Sequence, residues 1–334
     1  LITHVIFGKI EADVLYNCNV YLLIVFASIP MIALYNAGAA AFRAMGNSAV
    51  AMKTSLLMNA INICGNAVLI YGLHRGVEGV AIPTLVSRTV ACIVMLFLLN
   101  NQNHMIHIYH PFSFKTDWSL LKKILYIGIP NGLENSMFQL GKILVLSIVT
   151  GFGTASIAAN AVANNITTFA PQPGMAIGFA MRTVVSQCVG AGDYEQVNYY
   201  TKKLLKIIYI AAFVVNIFVV AAVPFVVGIY GLSEEASRYA RQILIYHSVC
   251  VVTIWPLSFS LPNTLRAAAD VKYTMGMSIL SMWIFRIGFS VLLGVYLEMG
   301  VFGVWVAMTI DWLFRSICFV IRYVRGKWKH ASLV

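Results

Sequence analysis

The segment Tyr126–Val149, YIGIPNGLENSMFQLGKILVLSIV, is apolar enough to cross a lipid bilayer and yet contains a carboxylate, Glu134. Lys122 and Lys123 precede it and mark one end of the span. At about 1.5 Å per helical residue, Glu134 is about 17 Å deeper, near the midplane of a hydrocarbon core about 30 Å thick. A charge at that depth is costly, so we predict that Glu134 faces a protein or water-filled interior and serves a function. The alternative is a structural ion pair, with Lys142 two turns along or with a neighbouring helix.

The composition is that of a polytopic, all-α membrane protein. Of the 334 residues, 60% are hydrophobic and 10% are charged, against about 25% charged in soluble domains. Lysine and arginine number 23 and aspartate and glutamate 12, but the basic residues collect between the apolar runs. Positive-inside bias therefore explains the charge better than a nucleic-acid partner does. The sequence contains no catalytic constellation and no GxxxxGK[ST] motif, so we expect neither an enzyme nor ATP-driven transport.

Apolar runs between polar or glycine-containing breaks predict about nine transmembrane helices. They are 15–41, 54–73, 79–100, 118–149, 155–180, 200–229, 237–263, 274–296 and 302–322. Connections rich and poor in basic residues alternate, which places the C-terminus in the cytoplasm and residue 1 outside. Short loops and the lack of sorting signals suit a multi-pass, monomeric protein of a bacterial inner membrane.

Internal repetition predicts two bundles of the same orientation. A shift of 223 residues brings Glu11, Tyr16, Arg43 and Ala44 onto Glu234, Tyr239, Arg266 and Ala267. A shift of 224 residues aligns GVEGV at 76–80 with GVFGV at 300–304. Three predicted helices precede the second copy and none precedes the first. We therefore expect a pseudo-symmetric 6+6 architecture whose first three helices are absent here.

The chain is therefore predicted to have three parts. Residues 1–100 are predicted to form the remainder of an N-terminal lobe, with three helices. Residues 101–117 are predicted to be a cytoplasmic linker between the lobes. Residues 118–334 are predicted to form a C-terminal lobe of six helices with a basic cytoplasmic tail.

Several motifs resemble the multidrug and toxic compound extrusion (MATE) family of cation-coupled antiporters. They are FRAMGNSAVAMKTSLLMNAINICGNAVLI (42–70), GVEGVAIPTLVSR (76–88), IGIPNGLENSMF (127–138), GFGTASIAANAVANNI (151–166) and LRAAAD (265–270). The resemblance implies two six-helix lobes around a central cavity that opens to alternate sides. It implies export of small cationic or amphipathic drugs in exchange for Na⁺ or H⁺, without a cofactor. It also places Glu134 where many members carry the acid of the seventh helix.

The sequence departs from the family at two positions. Some members carry a second carboxylate in the tenth helix, but 237–263 contains no Asp or Glu, and Trp255 aligns about where it would lie. Other members use an aspartate on the first helix, which this chain does not contain. The coupling ion therefore stays open between Na⁺ and H⁺.

Candidate site residues cluster around Glu134. We expect its carboxylate to accept a proton, bind Na⁺ or pair with a cationic substrate, because desolvation raises carboxyl pKa values. Pro130 is expected to kink the helix and free a carbonyl, and Pro171 and Pro173 to break the fifth span, either for function or only as bends. The amides either line a wet cavity or bridge helices; they are Asn131, Asn135, Asn160, Asn164 and Asn165.

Further charged and aromatic residues lie in the predicted helices and turns. Asp311 is a candidate second acid, and Lys142 and Arg286 are expected to make structural pairs across helices. A lining for flat cations, or simple packing, is predicted for Trp255, Phe138, Phe169, Met137 and Met175. Arg43, Gly46 and Arg266 lie at two equivalent cytoplasmic turns, where we expect them to fix the turn, cap helix carbonyls or meet anionic headgroups rather than to contact substrate.

Two further functions compete with drug export. A lipid-linked oligosaccharide flippase of the same superfamily should have a cationic cavity for a pyrophosphate, and we expect a lumen with few basic residues. A non-transporting remnant is the other alternative.

Overall fold

The structure is a computed structural model that describes residues 12–108 and 117–330. The described residues are predominantly helical and contain no strand. They divide into two compact units, Leu1–Lys115 and Thr116–Val334, and the division falls inside the predicted linker 101–117. Glu11, the first residue of the predicted repeat, and residues 109–116 of the linker lie outside the described residues.

The described residues of the first unit form three helices. They are α1 (Ala12–Ala44), α2 (Ser48–Gly72) and α3 (Glu78–Leu99). Helix α3 packs against both of the others, and its Met95 is fully buried in the cluster around Phe42 and Tyr35. Gly38 allows this packing, because a Cβ there would collide with Met95.

The described residues of the second unit form eight long or bent helical segments and a short 3₁₀ turn at Lys327–His330. The eight segments are α4 (Trp118–Thr150), α5 (Thr154–Thr167), α6 (Gln172–Gly190), α7 (Tyr194–Ile229), α8 (Glu234–Thr253), α9 (Pro256–Ala267), α10 (Val271–Tyr296) and α11 (Gly300–Val324). Helix α11 contacts α4, α8 and α10 and so lies at the centre of this unit. Its Trp312 and Phe319 belong to a core that includes Trp255 and Leu265.

Six of the described helices, α1, α2, α3, α7, α10 and α11, are long and apolar enough to cross a membrane. The pair α8 and α9, which is bent by 57°, is either a broken seventh span or a re-entrant loop. Helix α4 has 33 residues but carries the polar segment around Glu134, and α5 and α6 are separated by a break at 168–171. The all-helical class is confirmed, and the count of nine spans stays a prediction.

The repeat is visible in the backbone of each unit. Helices α1 and α9 end at Ala44 and Ala267, which are 223 positions apart. The following turn has a positive φ at Gly46 (78°) and at Ala269 (66°), again 223 positions apart. Equivalent backbone hydrogen bonds close both turns, and the next helices begin at positions with the same spacing.

A second local feature follows a spacing of 224. Helices α2 and α10 both end in a wide π-helical turn, at Val68–Gly72 and at Leu292–Tyr296. The residues that follow, His74 and Glu298, both have positive φ, at 50° and 53°. One inserted residue between the two features accounts for the change of spacing. The internal repeat predicted from the sequence is therefore present in the structure.

Candidate functional site

A polar cavity of about 390 Å³ lies within the second unit. Its walls come from α4, α6, α10, α11 and the bent junction between α8 and α9. Pro256 and Pro262 each lack an amide proton and lie on α9, just after this bend. The bend brings Trp255, Ser258 and Phe259 to the cavity.

Glu134 forms a buried ion pair at the cavity wall. Its Oε1 accepts a hydrogen bond from Nη2 of Arg266 at 2.6 Å, and the two side chains are 8% and 15% exposed. Arg266 was not expected to meet Glu134, but the pair matches the alternative of a structural ion pair between Glu134 and a neighbouring helix. None of the ion pairs among the described residues involves Lys142, because eight residues of helix place it about 12 Å from Glu134 along the axis.

A second charged cluster lies behind the first. Asp311 is fully buried, and its carboxylate lies 3.7 Å from Nη1 of Arg286 and 3.3 Å from Nε of Arg315. The hydroxyl of Ser281 also donates to it. The expected pairing of Arg286 across helices is therefore present. Asp311 does not line the cavity, whereas both arginines do.

Arg182 completes the basic lining from α6. Its Nε donates to Oδ1 of Asn263 at 2.7 Å, so it meets a neutral partner. Gly178 makes room for this contact, because a Cβ there would lie 2.8 Å from Nδ2 of Asn263.

The lining is strongly basic. Glu134 is its single acidic residue, while five basic residues contribute to it: Lys142, Arg182, Arg266, Arg286 and Arg315. The expectation of a lumen with few basic residues is wrong. Arg182 and Arg266 lie next to predicted span ends, where arginines usually meet water, and only folding turns them inward. Arg315 carried a sequence signal that was missed, because it is four residues after Asp311 and such pairs meet on one helix face.

The predicted site residues separate into two groups. Asn135, Trp255, Phe138 and Met175 line the cavity beside Glu134. Other predicted residues, among them Asn131, Asn160, Asn164, Asn165, Phe169 and Met137, are absent from the lining.

The amides outside the cavity make local or interhelical contacts. Asn160 accepts a hydrogen bond from Nε1 of Trp305 at 3.1 Å and so joins α5 to α11. Asn131 and Asn164 each donate to the carbonyl four residues before them, at 2.8 Å. Asn165 and Phe169 line a separate groove at the surface, which is largely apolar.

The prolines lie in different settings. Pro130 is buried within α4, one turn before Glu134. Pro171 immediately precedes α6 and Pro173 is in its first turn, so the fifth predicted span consists of two helices. Among the described residues, no three His, Cys, Asp or Glu side chains form a group that could hold a metal ion. A Na⁺ ion at Glu134 would have to share the carboxylate with Arg266.

Comparisons with known proteins agree with this architecture. The MatE family model matches residues 130–292, which include most of the cavity. The probable multidrug resistance protein YoeA of Bacillus subtilis is 25% identical over 330 residues, which are 94% of this chain and 68% of YoeA. These matches support the MATE family for this chain. The probable multidrug resistance protein NorM of Thermotoga maritima is 21% identical over 98% of this chain and 71% of its own length.

Solved structures show the same fold. A multidrug resistance MATE family transporter in an outward-facing conformation superposes with a TM-score of 0.85 at 21% identity, over 93% of this chain and 70% of its own. A MOP superfamily transporter from Pyrococcus furiosus, described as having a binding pocket of reverse polarity, gives a TM-score of 0.88 at 21% identity. That match covers 99% of this chain and 74% of the other. The chain spans about two thirds of the length of the curated relatives that it matches.

Proposed function

We propose that the chain carries the substrate cavity of a secondary active, ion-coupled exporter of amphipathic compounds in a bacterial inner membrane. The observation that carries this proposal is the buried pair of Glu134 and Arg266 at the wall of a cavity inside a helical unit. The names of the relatives, which are probable multidrug resistance proteins, support export of foreign compounds. In this proposal the cavity opens to alternate sides of the membrane, and the C-terminal tail lies in the cytoplasm.

Glu134 is the proposed coupling group. A carboxylate that holds one arginine can be neutralised by H⁺ or bind Na⁺, and either event weakens the pair and frees the guanidinium of Arg266. The freed arginine changes the charge that a substrate meets in the cavity. Export in exchange for Na⁺ or H⁺ needs this kind of competition, because two ligands exchange only if each alters the affinity for the other.

Transport by the Glu134→Gln variant tests the proposal. Glutamine keeps the shape and accepts a hydrogen bond from Arg266, but it has no charge to exchange. In proteoliposomes with an imposed H⁺ or Na⁺ gradient, we expect the variant to insert and purify normally and to lose gradient-driven transport of fluorescent amphipathic dyes. Glu235→Gln is the matched control, because Glu235 is exposed at the start of α8, where it accepts a hydrogen bond from Tyr239, and it does not line the cavity.

A double variant separates coupling from structure. If Glu134 serves only to neutralise Arg266, Glu134→Gln should melt early, because a broken buried pair costs about 3–5 kcal/mol. The double variant Glu134→Gln, Arg266→Gln should then regain both stability and gradient-driven transport. That recovery would contradict the coupling role. Stable protein without driven transport in both variants would support it.

A further inference from the structure

The charge of the cavity points to a substrate of opposite sign to the organic cations that the sequence suggested. We propose that the cavity binds an amphipathic organic anion, with a carboxylate, sulfonate or phosphate group attached to an apolar or aromatic body. The inference rests on the proposed function only in taking this cavity as the substrate site.

The charged side chains at the cavity are mostly positive. Five basic side chains line the cavity against one carboxylate, and Asp311, behind the wall, contributes one more negative charge. Among the described residues at the cavity and directly behind its wall, five positive charges against two negative charges leave a net of three positive charges. Field lines focus in a cleft with low-dielectric walls, so a ligand meets this excess at close range. A cation would be repelled and an organic anion attracted.

Several arginine nitrogens at the cavity are donors without an acceptor. Nε of Arg266, Nε of Arg286, and both Nε and Nη2 of Arg315 are buried without a hydrogen-bond acceptor among the described residues. The Arg315 side chain is only 2% exposed, and its 3.3 Å approach to Asp311 does not form a hydrogen bond. An unpaired buried donor costs about 1–3 kcal/mol. An oxyanion is the ligand that satisfies several guanidinium donors at once.

The aromatic rings at the cavity already contact the protein's own side chains. A cationic ligand would be held by the faces of aromatic rings. The guanidinium of Arg315 already lies 4.9 Å from the ring centre of Phe138 and 4.4 Å from that of Phe259. Trp255 stacks on Phe259 at 5.2 Å. These rings are therefore engaged by the protein's own cation and by each other, and they offer an apolar wall for the body of an anion.

The acidic residue of the lining, Glu134, already has a cationic partner within the protein. Glu134 was the expected partner of a cationic drug, but Arg266 holds its Oε1 at 2.6 Å. A cation would have to displace a buried arginine that has no other carboxylate among the described ion pairs. An anion needs no such displacement. Lys142 lies at the cavity wall and takes part in none of the ion pairs among the described residues. Its ammonium group can therefore pair with the charged group of an anionic ligand.

A pair of probes of equal shape and opposite charge tests the inference. We would measure binding of naphthalene-2-sulfonate and of N,N,N-trimethyl-2-naphthylammonium to the full chain in a non-ionic detergent by isothermal titration calorimetry. We expect the sulfonate to bind at least about tenfold more tightly, because each tenfold step needs only about 1.4 kcal/mol of differential interaction. Equal affinity, or tighter binding of the ammonium probe, would overturn the proposal.

Two substitutions locate the probe in the cavity. Lys142→Gln should weaken binding of the sulfonate by about tenfold, whereas Lys123→Gln, on the same helix but away from the cavity, should leave it unchanged. Glu134→Gln should tighten binding of the sulfonate, because it removes the one negative charge from the lining. A cation site requires the opposite response to Glu134→Gln. Equal responses to Lys142→Gln and Lys123→Gln would also overturn the proposal.

The measurements keep this inference separate from the proposed function. Binding needs no ion gradient, so tight sulfonate binding without gradient-driven transport would contradict the exporter and leave the anion site standing. Gradient-driven transport together with tighter binding of the ammonium probe would contradict the anion site and leave the exporter standing. Repeating the titration in nanodiscs of phosphatidylcholine, with and without phosphatidylglycerol, identifies the source of the anion. Displacement of the probe indicates a lipid headgroup, and an unchanged affinity indicates a soluble organic anion.

Discussion

In the first copy of the repeat, Asn47 follows the turn that ends α1, and in the second copy Asp270 follows the turn that ends α9. The two turns share the same backbone hydrogen bonds and the same position of positive φ. Their side chains differ: Asp270 accepts two hydrogen bonds from Arg322, at 2.7 and 3.0 Å, whereas Leu98 stands at the position equivalent to Arg322 in the first copy. The backbone of the repeat is therefore compatible with either neutral or charged side chains.

The same contrast holds deeper in the two units. At the spacing of 224, the positions of Asp311 and Arg315 are occupied in the first copy by Ser87 and Ala91. Ser87 donates to a carbonyl of its own helix, from Thr84, at 3.1 Å. A charged cluster in one copy thus corresponds to small, neutral residues in the other. Helix ends and turns therefore preserve the fold of each copy, while a few inward-facing substitutions give the second copy its cavity chemistry.

The largest difference between the copies should appear at Asp311. Asp311→Asn would leave Arg286 and Arg315 buried without a carboxylate, and we expect the free energy of unfolding to fall by about 3–5 kcal/mol. The equivalent substitution in the first copy, Ser87→Ala, removes one local hydrogen bond and should cost about 1 kcal/mol. Thermal unfolding of purified protein, followed by tryptophan fluorescence, measures both. Equal costs would show that the cluster does not stabilise the second unit.

A smaller difference is expected at the two turns. Asp270→Asn gives the second copy the side chain of the first and weakens both hydrogen bonds from Arg322. We expect a cost of about 2 kcal/mol, in the range for hydrogen bonds to charged groups, reduced by the partial exposure of Arg322. The reverse change, Asn47→Asp, has no arginine to meet at Leu98 and should alter stability by less than about 0.5 kcal/mol. A larger gain from Asn47→Asp would contradict this account of the turns.

The smallest effect concerns the backbone that the copies share. Gly46 has φ of 78° and nothing within 4 Å of a Cβ, so Gly46→Ala adds only backbone strain, about 1 kcal/mol. Ala269 has φ of 66° and is nearly buried. Ala269→Gly relieves that strain but exchanges it for the loss of a buried methyl group, about 0.8 kcal/mol, so the net change should be near zero. Chemical denaturation in mixed micelles can compare the two, and a clear loss of stability in Ala269→Gly would show that packing dominates.

Helix positions and the repeat could be predicted because they depend on local properties. The helix after Gly46 was predicted from 54 and begins at Ser48, and that from 274 begins at Val271, errors of a few residues at the ends. Polar and glycine-containing breaks at these positions interrupt the apolar runs, and hydrogen bonds over at most six residues close the turns. Because these contacts join residues that are close in sequence, they can be predicted from the sequence. The bend of 57° between α8 and α9 was not predicted, although Pro256 and Pro262 were a signal for it.

By itself the sequence determined the all-helical class and pointed, by resemblance, to the MATE family. The tertiary structure alone decided the partner of Glu134 and the charge of the cavity. Arg266 is 132 residues from Glu134, and an arginine at a predicted helix end can face water, lipid headgroups or the interior. Only the packing of α4, α6, α9, α10 and α11 turns five basic side chains toward one volume. A cavity's electrostatic sign depends on which distant side chains converge, and hydropathy along the chain carries no information about that convergence.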